Sequence, residues 1–81
     1  MISMLKTERK VVGVKQSRKA VEGGLARAVF LAEDADPQVT DPMEETARRH
    51  QVPVERVSSM KELGAACGIS VGAAVAVLLN G

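Results

Sequence analysis

The chain has 81 residues, the size of one small domain, and its formal net charge at pH 7 is only +1. A domain of this length buries about 60 to 65 per cent of the surface of its unfolded chain, which leaves little room for a second function. Its single cysteine excludes an internal disulfide, and no charged-then-apolar leader opens the chain, so we expect a cytoplasmic protein and not a secreted one.

The first half of the chain predicts two helices, each followed by a strand. Residues 4–10 are expected to form a helix, and residues 11–14 a short strand. A second helix follows and ends at the glycine pair of residues 23 and 24, because glycine is favoured at helix C-termini. Residues 28–32, AVFLA, form a continuous apolar run that is typical of a strand buried on both faces.

The middle of the chain continues this alternation. Residues 33–42 read as a loop that carries helix-start signals, Asp and Thr followed by Pro. Residues 43–50 are predicted to form the third helix, and residues 52–57, VPVERV, the next strand.

The last third predicts one more helix and one more strand. Ser59 and Glu62 have the spacing of a capping box, and Gly68 closes the helix that they open. In residues 71–79, valines alternate with small residues in the manner of a strand wedged between other elements. Strands that alternate with helices predict an α/β sandwich in which helices cover both faces of the sheet.

Positive charge is concentrated near the start of the chain. Residues 1–27 contain seven Lys or Arg and two Asp or Glu, whereas residues 28–57 contain three and seven. At about 100° per residue, the second helix has two unlike sides. One side carries Lys15, Arg18, Lys19 and Glu22, with Gln16 at its edge, and the other carries Ser17, Ala20 and Val21. Cations at a helix start are unfavourable in isolation, so the first side is either a solvated surface or meets an anionic partner.

Residues 63–81 contain no charged side chain and approach the length of a membrane span. Glycines at positions 64, 68 and 72 even have the small-residue spacing of packed membrane helices. Against this reading, no aromatic or cationic residue anchors the far end, so we do not expect a membrane partner.

Catalytic and metal-binding patterns are weak. The acidic residues at positions 33, 34, 36 and 41 could ligate Mg²⁺ or supply an acid and a base, but helix capping explains them without chemistry. His50 is the only histidine, so no zinc set or His-paired nucleophile can be completed around Cys67, which is expected to be a small buried filler. We therefore expect neither an enzyme nor a cofactor.

RNA recognised by its shape is the partner that best suits the cationic helix start. Proteins that stack on single strands need several aromatic side chains, and Phe30 is the only one in the chain. Lysine and glutamine can reach base edges while other cations hold phosphates. Because the major groove of regular A-form RNA is too deep to reach, a bend or internal loop is needed to open it.

Four separated segments carry a resemblance: GVKQSRKAVEGG, VFLAEDADPQ, RRHQVPVERV and SSMKELGAACGISVGAA. In this order and spacing they resemble the kink-turn-binding ribosomal protein family of the archaeal L-seven-Ae type, and within it the short bacterial ribosome-associated members of the YbxF type. The match covers about residues 11–79. It implies a three-layer α/β/α sandwich with a four-stranded mixed sheet, which grips a kink-turn, an RNA internal loop sharply bent beside tandem sheared G·A pairs.

The resemblance also implies two sets of contact residues. The family reads the G·A pairs with a Gly, an Asn-Glu pair and a Lys; here these are Gly13, the substituted pair Lys15 and Gln16, and Lys19. An apolar loop lines the flipped-out nucleotide, and it corresponds to residues 68–71, although the residues alone favour a core role for its Ile and Val. A lysine that contacts phosphate in many relatives is replaced here by Met60, with Lys61 next to it.

The expected function is therefore non-enzymatic recognition of kink-turn RNA by a single domain, residues 1–81, acting as a monomer and associated with the ribosome or a structured RNA leader. The alternative is a protein-interaction adaptor that uses the acidic third helix. The predicted RNA-binding residues are Gly13, Val14, Lys15, Gln16, Arg18, Lys19, Lys61, Gly68, Ile69, Ser70 and Val71.

Overall fold

A computed structural model describes residues 2–81 of the chain. Its elements are a short 3-10 helix (Ile2–Leu5), β1 (Lys10–Val12), α1 (Val14–Glu22), β2 (Ala26–Ala32), α2 (Pro37–Arg49), β3 (Val54–Val57), α3 (Met60–Ala66) and β4 (Val75–Leu79). The strands form one sheet in the order β1-β4-β2-β3. β2 and β3 are parallel, while β4 is antiparallel to both β1 and β2, so the predicted four-stranded mixed sheet is confirmed.

Helices cover both faces of the sheet, which confirms the three-layer α/β/α sandwich. On one face, α1 and α2 pack over a core of Ala20, Val21, Val29, Leu31, Met43, Ala47, Val75 and Val77. On the other, α3 and the 3-10 helix cover a core that includes Leu5, Phe30, Leu63, Cys67 and Leu78. The alternation along β2 and β4 explains the two cores, since successive side chains of a strand point to opposite faces.

The predicted helix over residues 4–10 is wrong. Only Ile2–Leu5 is helical, in the 3-10 form, and Lys10 already belongs to β1, where it pairs with Leu78. Burial of Leu5 against α3 and the strand pairing of Lys10 decide the conformation here, because tertiary contacts override weak local helix propensity. The strand predicted for residues 11–14 is accordingly shifted, and Val14 begins α1.

The third helix begins at Pro37, six residues before the predicted start. Asp36 caps it, with its Oδ1 accepting the Gln38 N–H at 2.9 Å. Pro42 lies inside this helix, in its second turn, where the missing N–H removes a single backbone hydrogen bond. The proline that suggested a helix start is therefore tolerated within the helix.

Residues 63–81 are divided among α3, a loop and β4, and the predicted strand over residues 71–79 forms only at Val75–Leu79. Within residues 2–81, no helix has both the length and the apolar character needed to cross a bilayer. The predicted cap of α3 is confirmed, because the Ser59 side chain accepts the Glu62 N–H at 3.0 Å. The Glu62 carboxylate accepts instead from the Ser58 hydroxyl, so the capping box is only half formed.

Candidate functional site

The start of α1 is shaped by Gly13. Its φ of +101° lies in the region that favours glycine, and its N–H donates to the Val75 carbonyl at 2.9 Å. The Gly13 carbonyl accepts the first helical hydrogen bond, from the Ser17 N–H at 3.0 Å. Within the described residues 2–81, no side chain caps this end of the helix, so its first-turn N–H groups remain available to an anion.

The side chains of α1 separate as predicted. Ser17, Ala20 and Val21 are buried, and the predicted contact residues Lys15, Gln16, Arg18 and Lys19 are exposed. Val14 is half-buried and packs against the core beneath α1 and α2. Within residues 2–81, none of the three cations forms an ion pair. Their charge is therefore offered to solvent along α1, from Lys15 in the first turn to Lys19 in the last.

The loop after α3 is held by backbone hydrogen bonds. Gly68 and Ile69 donate to the carbonyls of Ala65 and Gly64 at 3.0 and 3.1 Å, which is the Schellman pattern of a helix C-terminus. The chain then runs back along α3, since the Ala73 N–H donates to the Met60 carbonyl at 3.0 Å.

Gly64 permits the loop to lie this close to α3. A Cβ at position 64 would stand 2.0 Å from the carbonyl oxygen of Val71, a separation that real structures do not allow. The side chain of Val71 is 68% exposed and that of Ile69 is 37% exposed, so neither is a core residue. The loop therefore presents two aliphatic side chains, with exposed Ser70 between them. Its backbone is held by its contacts with α3.

The start of α1 and the start of β4 lie at the same end of the sheet. α1 leaves the end of β1 where the loop enters β4, and the Gly13–Val75 hydrogen bond joins the two points. Lys61 is exposed in the first turn of α3, next to Met60, whose carbonyl holds the loop. Arg18 differs from the others, because it lines a groove that faces α2.

This groove, which we call the α1–α2 groove, has a volume of about 590 Å³ and was not predicted. It is lined by Val14, Arg18, Glu22, Gln38, Val39, Pro42, Met43, Thr46 and Arg49. A third helix that began at residue 43 would lack Gln38, Val39 and Pro42, which form part of the lining. The Asp36-Pro37 start signal is the pattern that could have placed these three residues on the helix.

Two of the four acidic residues that could have formed a metal site accept hydrogen bonds from the first turns of helices. Asp34 accepts the Met60 N–H through Oδ1 at 2.8 Å, and Asp36 caps α2 as described above. Among residues 2–81, no group of three or more His, Cys, Asp or Glu side chains is arranged to hold a metal ion. Cys67 is buried as predicted, and that burial raises the pKa of its thiol.

The acidic character of the third helix is partly neutralised. Glu44 accepts a hydrogen bond from Arg48 at 2.7 Å and a second one from Arg56. The hydrogen bond from Arg48, together with the nearby charges of both arginines, holds the pKa of Glu44 below its usual value. These pairs reduce the acidic surface on which an adaptor function would depend.

Comparison with known proteins agrees with this architecture. An RNA-binding protein of Geobacillus sp. (strain WCH70) is 46% identical over 77 residues, which is 95% of this chain and 94% of that one. The RNA-binding protein YbxF of Geobacillus stearothermophilus is 42% identical over 77 residues, with the same coverage. A solved structure, the Giardia lamblia 15.5kD RNA binding protein, superposes with a TM-score of 0.92 at 27% identity and covers 99% of this chain and 71% of its own. Residues 2–81 match the Ribosomal protein L7Ae/L30e/S12e/Gadd45 family, and the chain belongs to it.

Proposed function

We propose that this protein is a non-enzymatic RNA-binding protein that recognises kink-turns, in association with the ribosome or a structured RNA leader. The observation that carries the proposal is the hydrogen bond between Gly13 and Val75, at 2.9 Å, because it joins the start of α1 to the first residue of β4, the strand into which the exposed aliphatic loop leads. The names of the relatives, which are RNA-binding proteins, support the same class of partner.

The two parts of this site suit different parts of a bent RNA. Lys15, Gln16 and Lys19 are exposed polar side chains that can reach base edges and phosphates where a bend opens the groove. The aliphatic side chains of Ile69 and Val71 suit the face of an unpaired base that has left the stack. A straight duplex offers neither feature, so the protein selects the bent conformer and shifts the equilibrium of the RNA towards it.

A fixed loop lowers the cost of this selection. The Schellman hydrogen bonds and the close approach of Val71 to Gly64 order the loop before any partner binds. Less conformational entropy is then lost on association, which favours affinity.

Energy transfer across a kink-turn RNA labelled at both stem ends tests the proposal. Titration of the protein should shorten the donor–acceptor distance, and an unchanged distance would contradict it. Lys19→Ala should cost about 1 to 3 kcal/mol of binding free energy on the kink-turn and less on a straight duplex. Lys6→Ala, which removes an exposed cation outside the site, is the matched control. If Lys19→Ala lowered the binding free energy equally on both RNAs, Lys19 would contact only phosphates.

The loop is tested separately by Val71→Ser. This variant should weaken binding to a kink-turn that has an extruded nucleotide, because aliphatic contact with the base is lost. On an RNA from which that nucleotide is deleted, the variant and the wild type should bind equally. A Val71→Ser effect that was the same on both RNAs would contradict the proposed role of the loop.

A further inference from the structure

The α1–α2 groove carries two arginines on facing helices. Arg18 lines it from α1 and Arg49 lines it from α2, while Val39, Pro42 and Met43 supply an apolar surface between them. Within residues 2–81, neither arginine forms an ion pair, and the one hydrogen bond of Arg49 is a long contact of 3.5 Å to the Thr46 hydroxyl. Glu22 is the one acidic residue in the lining, so two guanidinium groups outweigh a single carboxylate and the groove favours an anion.

Arg48, which precedes Arg49 in α2, forms an ion pair. Arg48 donates to Glu44 at 2.7 Å, and Glu44 also accepts from Arg56. Arg48 and Arg49 are adjacent in sequence and so project about 100° apart around the helix, one towards Glu44 and the other towards the groove. The positive charge of α2 that is not compensated by an ion pair therefore lies on the groove side.

The groove also adjoins the proposed kink-turn site. Val14, the first residue of α1, belongs to its lining, and Lys15 follows directly in the first turn. An RNA bound at the start of α1 would have its flanking stem within reach of the same helix. Arg18 lies one turn further along α1, on the side of α2.

We propose that an RNA strand leaving the kink-turn site crosses the α1–α2 groove, with its backbone phosphates held by Arg18 and Arg49. This inference rests on the proposed function and deepens it by assigning a second contact to the same RNA. A guanidinium group matches the geometry of a phosphate with two parallel hydrogen bonds. Because no aromatic side chain lines the groove, it offers no stacking surface for bases, and the contact is made to the backbone without regard to sequence.

The salt dependence of binding tests this contact. Affinity for a kink-turn RNA with two long stems should be measured between about 50 and 200 mM salt for the wild type and for Arg49→Ala. Loss of one phosphate contact on a duplex should reduce the slope of log K against log salt by about 0.9. Arg48→Ala is the matched control: it also removes one exposed arginine of α2, but one that is engaged by Glu44, so the slope should not change.

Stem truncation adds an independent readout. Shortening the stem that crosses the groove should abolish the difference between the wild type and Arg49→Ala, while shortening the other stem should preserve it. If Arg49→Ala has the wild-type slope on the long RNA, or if no single stem truncation abolishes its effect, the inference is overturned. The same holds if Arg49→Ala weakens binding of an acidic peptide such as oligoglutamate and leaves RNA binding intact.

Failure of this inference is distinguishable from failure of the proposed function. A wild-type protein that binds no kink-turn RNA overturns both. A protein that binds the kink-turn and is weakened by Lys19→Ala, but is indifferent to Arg49→Ala, retains the proposed function and loses only the groove contact.

Discussion

Ser17 is the residue of α1 at which burial and polarity conflict. Its side chain is fully buried on the core side of the helix, and its Oγ has no hydrogen-bond partner within residues 2–81. A buried hydroxyl that lacks a partner loses its hydration without compensation. The position therefore costs stability in the helix that presents the proposed RNA contacts.

We predict that Ser17→Ala raises the free energy of unfolding by about 1 kcal/mol, because it removes the unpaired hydroxyl and improves helix propensity. In thermal denaturation this corresponds to a rise in Tm of about 4 to 8 °C for a domain of this size. Ser3→Ala, at an exposed position, should change stability by a few tenths of a kcal/mol and serves as the control. A less stable Ser17→Ala variant would contradict the prediction.

Glu44 contributes to stability in a way that depends on pH. Its pKa in the folded chain lies below the ordinary value of 4.5, chiefly because Arg48 donates a hydrogen bond to it. A carboxyl group with a lowered folded-state pKa favours folding above the unfolded-state pKa. This contribution is lost as the pH falls through the folded-state pKa, below 4.5.

We expect Glu44→Gln to lower the free energy of unfolding at pH 7 by less than about 1 kcal/mol, since the arginines are well exposed. Urea denaturation at pH 7 and at about pH 3 should show the difference from wild type shrinking at the acidic pH. Glu45→Gln, which removes the exposed carboxylate next to Glu44, is the control for the loss of one negative charge on α2. A Glu44→Gln effect that was constant across the two pH values would count against the ion pairs.

At the scale of elements, local sequence signals predict a helix or strand correctly where tertiary contacts do not override them. The Gly pair that ends α1, the apolar run of β2 and the Ser59 cap of α3 all match the structure. The predicted start of α2 at residue 43 is wrong, because the helix begins at Pro37 and continues through Pro42. Side-by-side packing of two helices depends on distant residues, and no local pattern reports it.

The predicted site shows the same division. Helical spacing alone predicts an exposed face that carries Lys15, Gln16 and Lys19, and in the structure these side chains are exposed. The aliphatic loop could not be separated from a core strand by its residues, because Ile and Val suit both settings. The loop is exposed because its backbone runs back against α3, with the Val71 carbonyl close to Gly64. This close approach is a tertiary contact, and a side chain at position 64 would prevent it.

We predict that Gly64→Ala destabilises the protein by about 2 kcal/mol, even though alanine is the better helix former by about 1 kcal/mol. The added Cβ would collide with the Val71 carbonyl and force the loop away from α3. Denaturation measures the loss, and amide chemical shifts of residues 69–73 should report the displacement. Ala65→Gly, at the adjacent exposed position, should cost about 1 kcal/mol from propensity and leave those shifts unchanged. A Gly64→Ala variant with wild-type loop shifts would contradict this packing.

At the scale of the whole molecule, an 81-residue domain depends on each large core side chain. Leu5 is fully buried although it belongs to the short 3-10 helix at the start of the chain. It packs with Phe30, Leu63 and Leu78 in the core beneath α3. The N-terminal segment is therefore part of the layer that carries the loop.

We expect Leu5→Ala to lower the free energy of unfolding by about 2 to 5 kcal/mol, the cost of a cavity in a tightly packed core. Small domains have only about 5 to 15 kcal/mol in total, so a large share of the stability would be lost. Leu25→Ala is the control, because Leu25 is 59% exposed and its truncation should change stability by less than about 0.5 kcal/mol. Equal effects of the two substitutions would contradict the burial of the N-terminal segment.

The strand order has a consequence for biosynthesis. β4 is the last strand to be made, yet it lies in the interior of the sheet and separates β1 from β2. A nascent chain that ends before residue 75 can pair β2 with β3 but leaves β1 with no neighbour, so neither core can close. We expect cooperative folding to wait until Leu79 has emerged from the exit tunnel, so the apolar faces of the earlier strands stay incompletely covered until then.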